Sequence, residues 1–459
     1  MSANDAVLEL IGDTPIVKVR SLDTGPCELY LKLENLNPSG SIKDRIGSRM
    51  IEAAERRGDI RPGVSVLVEG SAGNTGAALA LAALRKGYRL RLAVPDRTSR
   101  EQVFYLKALG AEVTSTRSDV GIDHPEHYRN VAARLAAETE NGHFVDQFAN
   151  PDNAAAHAEW TGPEILRQMR EFGGLDAVVL GCGSGGTLTG LSQCFAGQAS
   201  QVELVLADPA GSVLAHYVND GVLSDKPGHW LVNSIGAHSL PPRANFERVA
   251  RAYTVSDRES FFTARELMAK EGILGGGSTG ALLAAALRYC REQTSPKKVL
   301  TFVCEAGNKY LPKIYNDHWM LDNGFLEHRR YGDLRDLVQH PYRQRDTIVV
   351  APEDSLTLAY QRMKRYGISQ LPVMQGGALV GIVDEGDVLL HVYGDETLFR
   401  DPVSVAMIRR LDQLDIKAPI EALLPVFSRG HVPIVTEDEQ FVGLITRIDL
   451  LNHLRRSAQ

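Results

Sequence analysis

Turns rich in glycine and small polar residues follow short apolar runs at several points in the first two thirds of this chain. Residues 64–68 and 177–180 are β-branched runs of strand length, and each leads through such a turn into a longer helical pattern. A repeated order of strand, tight turn and helix is typical of a parallel sheet covered by helices. The feature predicts an α/β fold whose turns gather at the carboxyl ends of the strands.

This pattern extends to about Pro312. Apolar residues at helical spacing predict a helix over 42–57, and the small apolar stretch 76–84 predicts a buried helix that is too short to span a bilayer. The clearest strands are predicted at 64–68, 90–94, 177–180, 202–207 and 299–303.

From about Asn323 the chain becomes charged and poor in apolar residues. We predict a first domain at 1–325, a linker at 326–342 and a second domain at 343–459. The linker's charged residues are Glu327, His328, Arg329, Arg330, Asp333, Arg335 and Asp336. The second domain contains an internal repeat, 343–394 and 401–459, in which each copy reads as helix, strand, turn, strand, helix.

Composition excludes several classes of protein. The 459 residues are 44% apolar and 23% charged with a net charge of −7, which implies neither nucleic acid nor a membrane surface as partner. The first residues show no export signal, so we expect a cytoplasmic location. Five scattered cysteines without a C-x-x-C pair predict reduced thiols, and no metal site is predicted.

Lys43 opens an amphipathic helix directly after the polar segment 38–41. A lone lysine is usually a solvated surface charge, but the start of this helix should hold the side chain against a core. Burial lowers the pKa of an amine, and a neutral amine is the form that attacks an aldehyde. We therefore predict that Lys43 binds the aldehyde of a cofactor.

The turn 71–76 follows the strand 64–68 and contains more polar and glycine positions than a helix cap requires. We predict that it receives a substrate carboxylate, with Asn74 facing the cofactor ring.

In the glycine-rich turn 275–280, Ser278 is predicted to hydrogen-bond a pyridine nitrogen. A neutral hydroxyl there makes the ring a weaker electron sink, which favours expulsion of a β-substituent.

The loop 181–187 fits G-x-G-x-x-G after a strand, and Asp208 lies at the end of the next strand. A dinucleotide-binding fold, as in a nicotinamide dehydrogenase, is therefore an alternative. Amide groups at a helix start suit a phosphate dianion equally well. Lys43 and the polar turn favour pyridoxal phosphate, because a nicotinamide enzyme needs neither. The predicted phosphate ligands are Gly183, Ser184, Gly185, Gly186 and Thr187.

Together these motifs resemble the β-replacing, fold-type II pyridoxal phosphate enzymes, a two-lobed, tryptophan synthase β-like fold, and among them the cystathionine β-synthase family. Segments 11–15, 146–148 and 208–212 resemble landmarks of that family. The repeat from 343 resembles a C-terminal tandem CBS-domain regulatory module. No counterpart of the haem-binding extension of animal relatives precedes Val7, so no haem is expected.

The resemblance implies pyridoxal 5'-phosphate as cofactor and a homodimer or higher homo-oligomer. It implies that Lys43 holds the aldehyde and shuttles the α-proton, and that Asn74 contacts the 3′ oxygen of the ring. The residues it assigns to the amino-acid carboxylate are Ser71, Ala72, Thr75 and Gln147. Two positions depart from the family pattern: Ala72 lacks a hydroxyl that relatives carry, and Ser234 stands where glycine is usual.

The resemblance further implies β-replacement on L-serine with L-homocysteine to give L-cystathionine, with sulfide or cysteine as other partners and hydrogen sulfide as a product. Cysteine synthase, which uses O-acetylserine and sulfide, is the nearest alternative.

In the second repeat, Thr446 and Asp449 would meet an adenosyl ligand such as S-adenosylmethionine, AMP or ATP. In the first repeat, Asp384 would repel a phosphate, so one good site at most is expected. A sensor without catalysis and a module that only dimerises are the remaining alternatives.

Overall fold

The computed structural model describes residues 7–224, 227–327, 331–338, 341–342 and 347–457. The chain divides into two compact units, residues 1–316 and 317–459. The first unit contains two sheets with helices around them, and the second contains the repeated motif.

The larger sheet of the first unit has six strands in the order β1-β2-β10-β7-β8-β9. These are β1 (Ile16–Lys18), β2 (Glu28–Lys32), β7 (Ala177–Gly181), β8 (Glu203–Pro209), β9 (Val249–Val255) and β10 (Lys298–Phe302). Only the pair of β1 and β2 is antiparallel, and the other neighbours run parallel. The turns after β7, β8 and β10 therefore emerge at one edge of the sheet.

The smaller sheet has four parallel strands in the order β5-β4-β3-β6. They are β3 (Val66–Gly70), β4 (Arg89–Pro95), β5 (Glu112–Thr116) and β6 (Gly142–Phe144). The five strands predicted from the sequence correspond to β3, β4, β7, β8 and β10. The prediction of an α/β fold with parallel strands is confirmed.

Parallel strands need a crossover connection, and helices provide these connections in both sheets. Their bounds are α1 Lys43–Arg57, α2 Asn74–Lys86, α3 Arg100–Ala108, α4 Tyr128–Glu138, α5 Pro151–Ala156, α6 Gly162–Glu171, α7 Gly186–Gln198, α8 Leu214–Asp220, α9 Asp257–Glu271 and α10 Gly277–Arg291. A π-helical turn, His157–Thr161, joins α5 to α6. The predicted buried helix at 76–84 is the core of α2, whose small residues pack between α1 and the smaller sheet. None of the described helices is long and apolar enough to cross a bilayer.

The second unit begins with α11 (Asp317–Asp322) and then shows the predicted repeat. The first copy is α12 (Leu356–Tyr366), β11 (Gln370–Gln375), β12 (Ala378–Asp384) and α13 (Glu385–Val392). The second copy is β13 (Gln413–Asp415), α14 (Leu423–Ser428), β14 (Ile434–Glu437), β15 (Gln440–Leu444) and α15 (Arg447–Ser457). Both copies contain the expected helix, hairpin and helix, and β13 adds a parallel strand to the second hairpin.

Part of the predicted linker packs into the second unit. Leu334 and Leu337 are fully buried in a cluster with Leu423 and Val435 of the second repeat. Two apolar side chains three residues apart are enough to anchor a segment that is otherwise charged. The predicted linker residues His328, Arg329 and Arg330, and residues 343–346 at the predicted start of the module, lie outside the described residues. The predicted domain boundaries remain predictions.

A cluster of buried charges fixes the first turn of α1. The guanidinium of Arg45, 1% exposed, lies 2.7 Å from a carboxylate oxygen of Glu34 and 2.8 Å from one of Glu164. The buried ammonium of Lys32 is 2.6 Å from the other oxygen of Glu164. Because a charge taken out of water is tolerated only when it is paired, the protein buries these two cations together with two anions.

We expect Arg45→Met to destabilise the protein by about 3–5 kcal/mol, because it leaves a carboxylate buried without its partner. The matched control is Arg89→Met, which breaks a 2.8 Å pair with Glu112 that is exposed on both sides. That change should cost less than about 1 kcal/mol. Denaturant unfolding of both variants measures the difference, and equal losses would contradict a special role for the buried cluster.

Candidate active site

Eight of the predicted cofactor residues line one cavity of about 520 Å³ in the first unit. Lys43 lies at the start of α1 and Asn74 at the start of α2, whereas Ser278 lies in the first turn of α10. The loop 183–187 connects β7 to α7. Ser234, Ile235 and Cys304 complete the polar and apolar walls near these groups.

Lys43 is an amine whose surroundings favour the neutral form. Burial lowers its pKa, and Cys182, Cys304 and Glu305 are the nearby groups that could oppose this effect. Burial also raises the pKa of Cys182 and of Cys304 to about 12, so both thiols are neutral near pH 7 and supply no charge. Among the described residues, Lys43 has no ion pair. The remaining anion nearby is Glu305.

Glu305 is the residue that the sequence analysis missed, although it lies only two positions after the predicted strand 299–303. Its carboxylate is 1% exposed and accepts hydrogen bonds from Asn74 Nδ2 at 2.7 Å, Tyr310 OH at 2.8 Å and Ser278 Oγ at 3.2 Å. The ammonium of Lys309 lies 2.9 Å away and also donates to Asn74 Oδ1. Burial opposes its ionisation, but Lys309 and the hydrogen bonds hold the pKa of Glu305 below its ordinary value.

The glycines of the loop 183–187 allow the backbone to approach its neighbours closely. A Cβ on Gly183 would come within 2.3 Å of the Ser234 carbonyl oxygen, and one on Gly186 within 1.8 Å of Asn153 Oδ1. Gly185 has a φ of +89°, in the left-handed region that favours glycine. The loop leads into α7, a helix of 13 residues whose first amide groups are free to bind an anion.

Two side chains brace this cradle. Asn153 Nδ2 donates to Ser184 Oγ at 3.0 Å, and the Thr187 hydroxyl lies 3.2 Å from Nε2 of the buried His157. Burial places the pKa of His157 well below its ordinary value, so its ring is neutral. An amide-lined, glycine-dependent cradle with two hydroxyls fits a phosphate group, and Lys43 in the same cavity fits an aldehyde.

The predicted carboxylate residues lie beside this cavity. The hydroxyl of Ser71 accepts a hydrogen bond from the Gly76 amide at 3.1 Å, and Thr75 Oγ1 donates to Gln147 Oε1 at 2.7 Å. The turn 71–76 and Gln147, which are far apart in the sequence, are therefore in contact. Ala72 contributes no side-chain hydrogen bond here, as its methyl group dictates.

Ser234 adopts a φ of +73° where its relatives are expected to carry glycine. The left-handed conformation costs a residue with a Cβ about 1–2 kcal/mol. Ser234 lines the cavity, and its carbonyl oxygen is the atom that excludes a side chain at Gly183.

The two regulatory candidates lie in the second unit. The backbone N–H and the hydroxyl of Thr446 both donate to Asp449 Oδ2, at 2.7 and 2.6 Å. In the first repeat, Asp384 and Asp387 cap α13 reciprocally, each carboxylate accepting the other residue's amide. Two carboxylates therefore stand where the second repeat has one carboxylate and one hydroxyl.

Comparisons with known proteins agree with this geometry. The profile of the family described as pyridoxal-phosphate dependent enzyme matches residues 7–305, and that of the CBS domain matches residues 335–394 and 403–456. A cystathionine beta-synthase of Dictyostelium discoideum is 33% identical over 469 residues, covering 99% of this chain and 93% of that protein. One of Saccharomyces cerevisiae is 30% identical over 504 residues, covering 98% and 97%.

A solved structure of a hydrogen sulfide-producing enzyme of Fusobacterium nucleatum is also similar. It superposes with a TM-score of 0.60 at 32% identity, covering 66% of this chain and 97% of its own. Fold, cavity and family profiles together define a fold-type II, pyridoxal phosphate-dependent enzyme that carries a pair of CBS domains. Within that class, the chain belongs to the cystathionine β-synthase family.

Gly186→Ala should reduce both cofactor retention and thermal stability, because its methyl group would collide with Asn153. The matched control is Gly197→Ala in the same helix, where a Cβ would meet nothing within 4 Å. The Gly197→Ala change should stabilise the protein by about 0.5–1 kcal/mol, because alanine has a higher helix propensity than glycine. Pyridoxal content after dialysis and thermal unfolding measure both effects. Full cofactor retention in Gly186→Ala would contradict the cradle.

Proposed function

We propose that this enzyme replaces the β-hydroxyl of L-serine with the thiol of L-homocysteine, giving L-cystathionine and water. The observation that carries the proposal is the match, over nearly the whole length of both proteins, to enzymes named cystathionine beta-synthase. Sulfide release is a second proposed output, supported by the similarity to a hydrogen sulfide-producing enzyme. A cysteine synthase reaction on O-acetylserine and sulfide is the alternative, and no observation favours it over the first.

Four groups of the cavity are proposed to hold pyridoxal phosphate. Lys43 would bind its aldehyde, the loop 183–187 its phosphate, Asn74 the 3′ oxygen of its ring and Ser278 the ring nitrogen. When bound, the cofactor supplies an aldehyde that captures an amino group and a conjugated ring that accepts electron density. Asn74 donates one N–H to Glu305 and keeps its second N–H for the 3′ oxygen. The single O–H of Ser278, which is donated to Glu305 here, would have to turn to the ring nitrogen when the cofactor binds.

Lys43 is proposed to carry the proton of the reaction. Its lowered pKa leaves a larger fraction of the amine neutral near pH 7, and a neutral amine can remove the α-proton of the amino acid and later return it. Lys309 and the hydrogen bonds to Glu305 engage this carboxylate, and it opposes the effect of burial on the Lys43 pKa only in part.

The amino-acid carboxylate is proposed to lie at the turn 71–76, held by Ser71, Thr75, Gln147 and the backbone at Ala72. Support comes from the contact between Thr75 and Gln147 and from the position of the turn at the start of α2. A carboxylate at a helix start is also stabilised by the positive end of the helix dipole. The substrate would then have its α-carbon near Lys43, since Asn74 belongs to both the turn and the cavity.

The CBS-domain pair is proposed to bind one adenosyl ligand, such as S-adenosylmethionine or AMP, through Thr446 and Asp449. A ribose hydroxyl would have to share Asp449 Oδ2 with the hydroxyl of Thr446, or use its second oxygen. At the matching place in the first repeat, burial and the neighbouring Asp384 raise the pKa of Asp387. Such a pair of carboxylates disfavours an added phosphate charge. A homodimer is proposed as the assembly.

Lys43→Ala should lower turnover at least about a hundred-fold, because a positioned proton-transfer group contributes that much or more. Borohydride reduction of the wild type followed by peptide mapping should place the pyridoxyl label on Lys43. The matched control is Lys309→Ala, which removes the other amine near Asn74 and should keep the label on Lys43. A label on any other lysine would contradict the assignment.

A paired assay separates the two reactions that this site could serve. Serine with homocysteine is compared with O-acetylserine and sulfide at equal enzyme concentration, and we expect the first pair to be used with the larger kcat/KM. A larger kcat/KM for the second pair would replace the proposed activity with the alternative one.

A further inference from the structure

Glu69 is a buried carboxyl directly behind the proposed carboxylate turn. It is the penultimate residue of β3, two positions before Ser71, and only 1% of it is exposed. Within the described residues, Glu69 has no ion pair, and the charged side chain that most affects its pKa is the anion Asp146. A buried carboxyl without a cationic partner is uncommon, because the ionised form loses its hydration without compensation.

Glu69 accepts hydrogen bonds from Gln147 and from the backbone N–H of Gly70. The backbone N–H of Gln147 donates to one carboxyl oxygen at 3.3 Å and its Nε2 to the other at 3.4 Å. On the opposite side, Gln147 Oε1 accepts from Thr75 Oγ1 at 2.7 Å. The amide is thus held at both ends, and one N–H of Nε2 remains for another acceptor.

The charged and titratable groups around Glu69 come from two elements. Asp146, in the loop after β6, and Tyr128, the first residue of α4, both interact electrostatically with Glu69. The guanidinium of Arg129 is engaged elsewhere, 3.7 Å from Asp146 and over the ring of Phe148. Burial, reinforced by Asp146, raises the pKa of Glu69 to about 8.

We infer that Glu69 is a positioning residue: as a neutral carboxyl it orients the Gln147 amide toward the substrate carboxylate and keeps negative charge away from that site. This inference rests on the proposed role of Gln147 as a ligand of the amino acid. Ionised Glu69 would place a second anion one amide group away from the substrate carboxylate, and the two would repel each other. Binding of the amino acid should therefore weaken as the pH rises past the pKa of Glu69.

The test is a titration of the holoenzyme with L-serine, without thiol, followed by the cofactor absorbance at pH 7 and pH 9. Glu69→Gln is the permanently neutral variant, and its comparison with the wild type removes titrations that the two share, such as that of the serine amine. From pH 7 to pH 9, the dissociation constant of the wild type should rise about ten-fold more than that of Glu69→Gln, as a group with a pKa near 8 requires.

Asp146→Asn is the second variant, and it leaves Glu69 in place. Asn tolerates the φ of +45° at this position and can still accept from the Phe148 amide. Loss of the Asp146 charge lowers the pKa of Glu69, so the weakening of serine binding should begin at a lower pH than in the wild type.

Equal pH dependence in the wild type and Glu69→Gln would overturn the inference, and so would an unmoved profile in Asp146→Asn. A merely structural role for Glu69 would change affinity by the same factor at both pH values. If no amino acid changes the cofactor absorbance of the wild type, the proposed function fails instead, which is a distinguishable outcome.

Discussion

The partial burial of one amine, Lys43, is the constraint on which the proposed site depends. An ammonium in a cavity would normally be stabilised by the nearest carboxylate, here Glu305. The protein satisfies that carboxylate with Lys309, Tyr310 and Asn74, while the thiols nearby stay protonated. Burial thus lowers the pKa of Lys43 without an opposing ion pair. The arrangement favours the neutral amine relative to that of a solvated lysine.

The rest of the site is built by strand ends and close backbone approach. Parallel strands β3, β7 and β10 each end at a turn that contributes to the cavity region. Gly183 and Gly186 bring the loop after β7 against Ser234 and Asn153, where any side chain would collide. The shape of the predicted anion cradle is therefore a consequence of packing as much as of its own sequence.

Local sequence was enough to predict β3, β4, β7, β8 and β10, which are five of the ten strands described in the first unit, together with α1 and α2, because each is encoded within a few residues. The topology then brings the predicted cofactor residues from both sheets to one cavity. Glu305 and Glu69 could not be found this way, since a carboxyl gives no local sign that packing will bury it. The same holds for Leu334 and Leu337, whose burial depends on contacts with Leu423 and Val435 that lie far along the chain.

The most direct measurement of the central claim is the pKa of the Lys43 amine itself. Competitive acetylation of the cofactor-free protein across a pH series, read by peptide mass spectrometry, reports the neutral fraction of each lysine. The account predicts that Lys43 becomes reactive at a lower pH than an exposed lysine such as Lys417. A Lys43 profile that matches or lies above that of Lys417 would contradict it.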